Sequence, residues 1–311
     1  MAELRQAIEA FLDGFTEIAW LPFAFAVCCH VGRLVARSRA WRNVISGAYP
    51  EAEVRWSQVF GGYVAGVGAN ALLPGRGGDL LRLYIVRHRV EGSSYPTLAA
   101  TMLADSIFDL FASSLLLGWA IAIGIFPGSN VLPDLPAIDW LWVFKNPHQA
   151  LVIFGFVLAI ALVVFGLTFH QISAFWERVR QGFAILRTPR EYLTHVVPWD
   201  ALDWALRLTA IFFFLKAFGL PATPYYACVY QVAGSLSTAL PLTPGGIGTE
   251  QALLVYLFSD VAAASKILSF SVGVKLTIMT VNVTLGLAAL LLMIGSVRWR
   301  HRVAAEDMQT S

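Results

Sequence analysis

Asn70-Ala-Leu-Leu-Pro-Gly-Arg-Gly-Gly-Asp-Leu-Leu-Arg82 decides how this chain is read. A second stretch echoes it: Thr238-Ala-Leu-Pro-Leu-Thr-Pro-Gly-Gly-Ile-Gly-Thr-Glu250. In each, an apolar run is broken by Pro-Gly, loosened by further glycines and closed by a carboxylate. Proline removes a backbone donor and blocks helix continuation, and glycine adopts angles that other residues resist. At membrane depth the freed N–H and C=O groups must face protein or a wet cavity. Paired broken segments in corresponding places of two halves point to the binding site of a transporter.

The surroundings of both stretches are those of a membrane protein. Hydrophobic residues make up 57% of the 311 and charged residues 14%, with mean hydropathy +0.65. A soluble domain carries about 25% charged residues. The formal net charge is only +2, but the arginines cluster at Arg33 to Arg55, Arg76 to Arg89, Arg178 to Arg190 and Arg298 to Arg302. Each cluster abuts an apolar run, as cytoplasmic anchors do, which argues against nucleic acid as a partner. Cys28, Cys29 and Cys228 match no disulfide or metal framework, and no cofactor is expected. Neither glycine stretch has the Lys-Ser ending of a phosphate-binding ATPase loop or the strand–turn–helix setting of a dinucleotide site. No Gly-x-Ser-x-Gly elbow and no His-Glu-x-x-His zinc motif is present.

The expected fold is therefore an all-α polytopic membrane protein, a single membrane domain over residues 1–311. Residues 1–14 read as an amphipathic N-terminal helix, with Leu4, Ile8, Phe11 and Leu12 on one face. The first half is 15–126 and contains the broken motif 70–82. An outer loop covers 127–147, the second half is 148–296 with the broken motif 238–250, and 297–311 is a cytoplasmic tail. Five full spans are expected, at 15–35, 97–126, 149–169, 201–220 and 267–296. The positive-inside rule applied to Arg33, Arg37, Arg39 and Arg42 puts the N-terminus outside, and Arg298, Arg300 and Arg302 put the C-terminus in the cytoplasm. Residues 57–72 and 225–240 are different. Sixteen helical residues reach about 24 Å, short of the roughly 30 Å hydrocarbon core. They read as two re-entrant arms entering from opposite faces, an inverted repeat. The spacing Gly62-xxx-Gly66 suits close helix packing. Residues 172–187 read as an interfacial helix, with Arg178, Arg180 and Arg187 opposite an apolar face.

Several polar residues sit within this apolar frame. Arg76, Asp79 and Arg82 share a helix face at i,i+3 spacing. They form either a basic mouth for a phosphate, helped by glycine N–H groups and a helix N-terminus, or an internal ion-pair ladder. Asp105 and Asp109 lie one turn apart in a span and do not both ionise cheaply in a low dielectric. Either a cation pairs with them, with Lys275 and Arg82 as candidates, or one is protonated. Glu250 either caps the following helix or binds a cation. Asp203 and Arg207 form an i,i+4 pair, Lys216 snorkels at the outer end of its span, and His30 and Asn282 read as internal hydrogen-bonders.

At its two motifs the sequence resembles the flippase-like membrane domain of lysyl-phosphatidylglycerol synthases and their stand-alone relatives. The resemblance is carried by Leu73-Pro-Gly-Arg-Gly-Gly-Asp79 with Arg82 and by Pro244-Gly-Gly-Ile-Gly-Thr-Glu250. It covers about residues 15–296. It implies an integral inner-membrane protein of bacteria or archaea that moves a phospholipid or lipid-linked head group between leaflets without ATP hydrolysis. The residues carried over are Pro74, Gly75, Gly78, Asp79, Arg82, Pro244, Gly245, Gly246, Gly248 and Glu250. Asn70 and Arg76 join them as substrate-binding candidates, with Asp105, Asp109 and Lys275 balancing or coupling charge. The chain departs from the family in three places. Asp105-Ser-Ile-Phe-Asp109 stands where relatives show Glu-Arg-x-x-Asp, Lys275 stands near a usual arginine, and only the helix 1–14 precedes the first span. No transferase domain follows the last span, so the chain is not expected to make the lipid itself. The implied partners are phosphate-bearing lipids, with a second copy of the chain or a lipid-synthesising enzyme beside them. The competing readings are an integral-membrane enzyme or enzyme subunit modifying lipid head groups, and a membrane partner of a separate lipid synthase.

Overall fold

The computed structural model describes residues 18–73, 76–124, 173–239 and 248–310. The expected helix 1–14, the outer loop 127–147 and the span 149–169 lie outside the described residues, as do Pro74, Gly75, Pro244, Gly245 and Gly246. Among the described residues all regular structure is helical. The principal elements are α1 (Trp20–Ala48), α2 (Trp56–Leu72), α3 (Gly77–Arg87) and α4 (Tyr95–Ala122). After them come α5 (Ser173–Gly182), α6 (Pro189–His195), α7 (Val197–Ala217), α8 (Pro224–Ala239), α9 (Thr249–Leu257) and α10 (Ala264–Thr310).

The two long apolar helices follow from composition. Over Tyr95–Ala122 and Ala264–Met293 the mean hydropathy reaches 1.5 and 2.1, and these two described helices are long and apolar enough to cross a membrane. Ser94 starts α4 by accepting a hydrogen bond from the Thr97 N–H, with Pro96 in the first turn, where its missing donor costs nothing. Along α4, Leu103, Leu110, Phe111, Leu115 and Ile121 are exposed, the apolar exterior expected of a helix whose solvent is hydrocarbon. The helices α1 and α7 have 29 and 21 residues, about 43 Å and 32 Å at 1.5 Å per residue, but both carry charges. α1 corrects the expected span 15–35, because the helix continues through the arginines to Ala48 and buries Leu34, Trp41, Val44 and Ile45.

The first predicted break interrupts a helix: α2 ends at Leu72, with Leu73 extended, and α3 starts at Gly77. At the second, α9 starts at Thr249 after Gly248, whose φ is 90°, and residues 240–247 lie outside the described residues. α2 has 17 residues and α8 has 16, so each is short of a full crossing, about 26 Å and 24 Å. Arg76, at the head of α3, has φ 59°, and among the described residues no other non-glycine has positive φ.

Glycines set how closely the first arm packs. A methyl group on Gly62 would meet Val86, on Gly66 would meet Arg82 Cβ, and on Gly78 would strike the Gly66 carbonyl and Asn70 N. The pairs 62–86, 66–82 and 70–78 run in opposite directions, so α2 and α3 form an antiparallel hairpin. The other face of α2 packs on α10, with Gly68 against the Asn282 carbonyl and Gly286. The expected close packing through Gly62 and Gly66 is therefore present, and Gly61 and Gly68 add a second close face. The apolar core falls into two main clusters. One joins Trp41, Ile45, Val59, Tyr63, Val64, Val86 and Leu98 from α1 to α4. The other joins Ile211, Phe214, Phe218, Val229, Leu254, Phe258, Phe270 and Val274 from α7 to α10.

Gly78→Ala should destabilise the protein, because the obstacles at 2.6 Å and 2.7 Å are Asn70 N and Oδ1 on the facing helix, which cannot rotate away as a free side chain would. A loss of about 1–3 kcal/mol is expected from such overpacking, read as a lowered unfolding midpoint in detergent. Gly118→Ala, where nothing lies within 4 Å, should leave the midpoint unchanged.

Candidate functional site

Between the two apolar clusters, α1 carries His30, Arg33 and Arg37 on its inward side. Arg37 is buried and meets three carboxylates: Asp105 at 3.0 Å, Asp109 at 2.6 Å and Asp200 at 3.3 Å. It also donates to the Asp105 carbonyl oxygen at 3.1 Å. One turn earlier, Arg33 meets Asp203 at 3.0 Å. Arg207 closes the set, at 2.8 Å from Asp203 and 3.5 Å from Asp109. The Trp204 indole N–H donates to Asp109 at 2.7 Å, and the Arg207 guanidinium lies 4.7 Å from the Trp204 ring. Three guanidiniums and four carboxylates from α1, α4 and α7 thus form one continuous network inside an apolar bundle. Charges so placed persist only when paired and hydrogen-bonded.

This settles which cation neutralises Asp105 and Asp109. It is Arg37, with Arg207, and not Lys275. Lys275 Nζ lies 2.9 Å from Glu250 Oε2, where the Tyr230 hydroxyl also donates to Glu250 Oε1 at 3.3 Å. Of the two roles considered for it, Glu250 therefore takes the second: it sits in the first turn of α9 and binds a cation. The cap itself comes from Gln251, whose side-chain oxygen accepts from the Gly248 N–H at 2.7 Å. Arg33 and Arg37 are not surface anchors, because their charges are spent inside. The expected Asp203–Arg207 pair is present, and His30 Nε2 bonds Asn282 Oδ1 at 2.9 Å.

The first broken motif is held by an amide and not by an ion-pair ladder. Asn70 ties the start of α3 to α2: its side-chain oxygen accepts from the Gly78 N–H at 2.8 Å, and its amide donates to Asp79 at 3.1 Å. No ion-pair ladder forms, since Asp79 is held by Asn70, Arg76 is exposed and Arg82 points inward. Arg82 is 8% exposed and makes no ion pair. Its guanidinium carbon sits 4.1 Å from the Trp41 ring centre and 5.2 Å from that of Tyr63, and its Nε is buried without a hydrogen-bond partner. The Trp41 ring is itself fixed, donating from Nε1 to Thr101 at 3.1 Å. On the outward side of α3, Leu80, Leu83 and Tyr84 border a cleft of about 810 Å³ with Tyr95, Leu103 and Val179, lined almost wholly by apolar atoms.

Four further polar atoms are buried without a partner: Asp105 Oδ1, Asp200 Oδ2, Arg207 Nε and the Tyr192 hydroxyl. Tyr192 lies on α6, where burial, reinforced by Asp200 and Asp105, pushes its phenol up to about 12, so at neutral pH it is a hydroxyl. Among the described residues no cluster of His, Cys, Asp and Glu has the makings of a metal site.

The residues of the network that reading by motif passed over are Arg33, Arg37 and Asp200. Their signal was spacing. Arg33/Arg37, Asp105/Asp109 and Asp203/Arg207 are three pairs of charges four residues apart, each on one face of a helix.

Arg37→Met should lower stability by about 3–5 kcal/mol, since it strands buried carboxylates without a counter-charge. Arg82→Gln breaks no ion pair and should shift the unfolding midpoint much less. Thermal unfolding of both variants in one detergent checks the difference.

Comparison with known proteins agrees with the geometry. No solved structure matches the chain. UPF0104 membrane protein MJ1078 of Methanocaldococcus jannaschii is 24% identical over 188 residues, which is 60% of this chain and 77% of that protein. The profile of the lysylphosphatidylglycerol synthase TM region matches residues 1–286. A match over that much of the chain makes this protein a member of the lysylphosphatidylglycerol synthase transmembrane-region family.

Proposed function

We propose that the protein is a lipid transporter that passes a phosphate-bearing lipid head group across the cytoplasmic membrane without ATP hydrolysis. The observation that carries this reading is Arg82, a buried guanidinium with no carboxylate of its own, at the base of a broken helix. An unpaired buried cation is costly. Stacking on Trp41 and Tyr63 offsets part of that cost through the ring quadrupoles while leaving the guanidinium edge for a planar, bidentate anion such as a phosphate. The apolar cleft on the far side of α3 provides a surface along which acyl chains stay while the head group moves.

In this reading the pairs α2–α3 and α8–α9 are re-entrant arms from opposite leaflets, related as an inverted repeat. Pro74, Gly75, Arg76, Gly78 and Asp79 shape the first tip, and Pro244, Gly245, Gly246, Gly248 and Glu250 the second. The C-terminus is cytoplasmic. In this reading the lipid leaves chemically unchanged.

The test is translocation of a fluorescent phospholipid in reconstituted vesicles, followed by quenching of the outer leaflet. Arg82→Gln should slow the protein-dependent rate at least tenfold while reconstituting in the same amount; an unchanged rate removes Arg82 from the pathway. Mass spectrometry of the same lipid should show one species before and after, and a new mass would favour an enzyme.

A further inference from the structure

We propose that the buried network takes up a proton together with the anionic head group, and that the proton resides on the Asp105–Asp200 carboxylate pair. The inference rests on the anion-receptor role given to Arg82 above.

The argument begins with charge. With Arg82 included, the buried and half-buried set holds four guanidiniums (Arg33, Arg37, Arg82, Arg207) and four carboxylates (Asp105, Asp109, Asp200, Asp203). The empty site is thus neutral when every group is ionised. A phosphodiester arriving at Arg82 brings one negative charge and leaves the set at minus one, in surroundings where an uncompensated charge is expensive. Among the described residues the network offers no further cation to answer it. Lys275 is committed to Glu250 at 2.9 Å, and Asp79, held by Asn70, only adds negative charge near the loop.

Geometry says where a proton fits. Asp109 is saturated by Arg37, Arg207 and Trp204, and Asp203 by Arg33 and Arg207. Asp105 and Asp200 share Arg37 through one oxygen each, and the other oxygen of each, Asp105 Oδ1 and Asp200 Oδ2, is buried and unpartnered. A protonated carboxyl needs such an atom. The groups facing this pair come from every element packed on it. They are Arg37 of α1, Arg82 of α3, Asp109 of α4, Tyr192 of α6 and Asp203 of α7, with Arg33, Tyr63 and Arg207 one contact further out. The Tyr192 hydroxyl, also unpartnered, is a neutral neighbour able to relay a proton from the aqueous side. Asp105 lies within electrostatic reach of Arg82, so an anion that occupies Arg82 adds negative potential at the Asp105–Asp200 pair. The proton comes from water and returns to it when the head group leaves; no bond other than O–H is made or broken.

The experiment is isothermal titration calorimetry of the intact protein in detergent with dihexanoyl phosphatidylglycerol, whose phosphodiester stays singly charged over the working range. Titrations in HEPES and in Tris at one pH report protons exchanged through the different ionisation heats of the buffers. About one proton should be taken up per lipid bound, and the affinity should rise about tenfold for each unit the pH is lowered. Asp200→Asn and Asp105→Asn should each bind the lipid with little dependence on pH and little buffer-dependent heat. Binding with equal heats in both buffers overturns the inference and leaves the Arg82 receptor standing. Proton uptake that persists in both variants also overturns it, since the proton would then lie elsewhere. Absence of any binding overturns the receptor itself and the inference with it. Should a variant fail to fold, the two-buffer comparison on the unaltered protein still decides.

Discussion

Arg37 is the point on which the rest of the structure depends. One guanidinium on α1 answers carboxylates from α4 and α7, and the main-chain oxygen of Asp105 as well. In a medium of low dielectric such a contact is less a source of net stability than a constraint. Desolvation consumes most of the Coulombic gain, yet any arrangement that separates the partners leaves bare charge in an apolar interior. The three helices therefore have one register relative to one another. Arg33, Arg207 and Trp204 extend the same constraint along α1 and α7.

The second device is the absence of side chains. Gly62, Gly66 and Gly78 let α3 lie against α2 closely enough that Arg82 reaches the aromatic surface made by Trp41 and Tyr63. Larger residues would hold α3 away and place the guanidinium elsewhere. The two motifs are unequal in consequence. In the second, the cation Lys275 already has its acid, Glu250, and a tyrosine hydroxyl beside it. In the first, the acid Asp79 is occupied by an amide and the cation Arg82 is left open. On the proposed reading, an anionic head group would meet an open cation at the first motif and a cation already paired at the second.

The parts of this arrangement governed by local chemistry were legible beforehand. Pro-Gly followed by glycines marks a helix break, and the first break lies where the motif put it, between Leu72 and Gly77. Asp203 and Arg207 are one turn apart, and that contact needs no tertiary information. His30 and Asn282 announced themselves as polar groups needing partners in apolar helices, and each supplied the other's. The role of Arg33 and Arg37 was not legible, for a physical reason. Arginines after an apolar run look like the anchor at a membrane face, and only the burial of Trp41, Val44 and Ile45 beyond them reveals that α1 continues inward. Lys275 was misassigned for a related reason. Asp105 and Glu250 are both acids on other helices, and the choice between them depends on packing across the break before α9.

The central claim is that Arg82 stands open for an anion. The most direct measurement is an electron cryo-microscopy structure of the protein in nanodiscs containing anionic phospholipid. The account predicts head-group density against the Arg82 guanidinium, bounded by Trp41 and Tyr63. Density absent there, with Arg82 turned onto the free oxygen of Asp105, would contradict it.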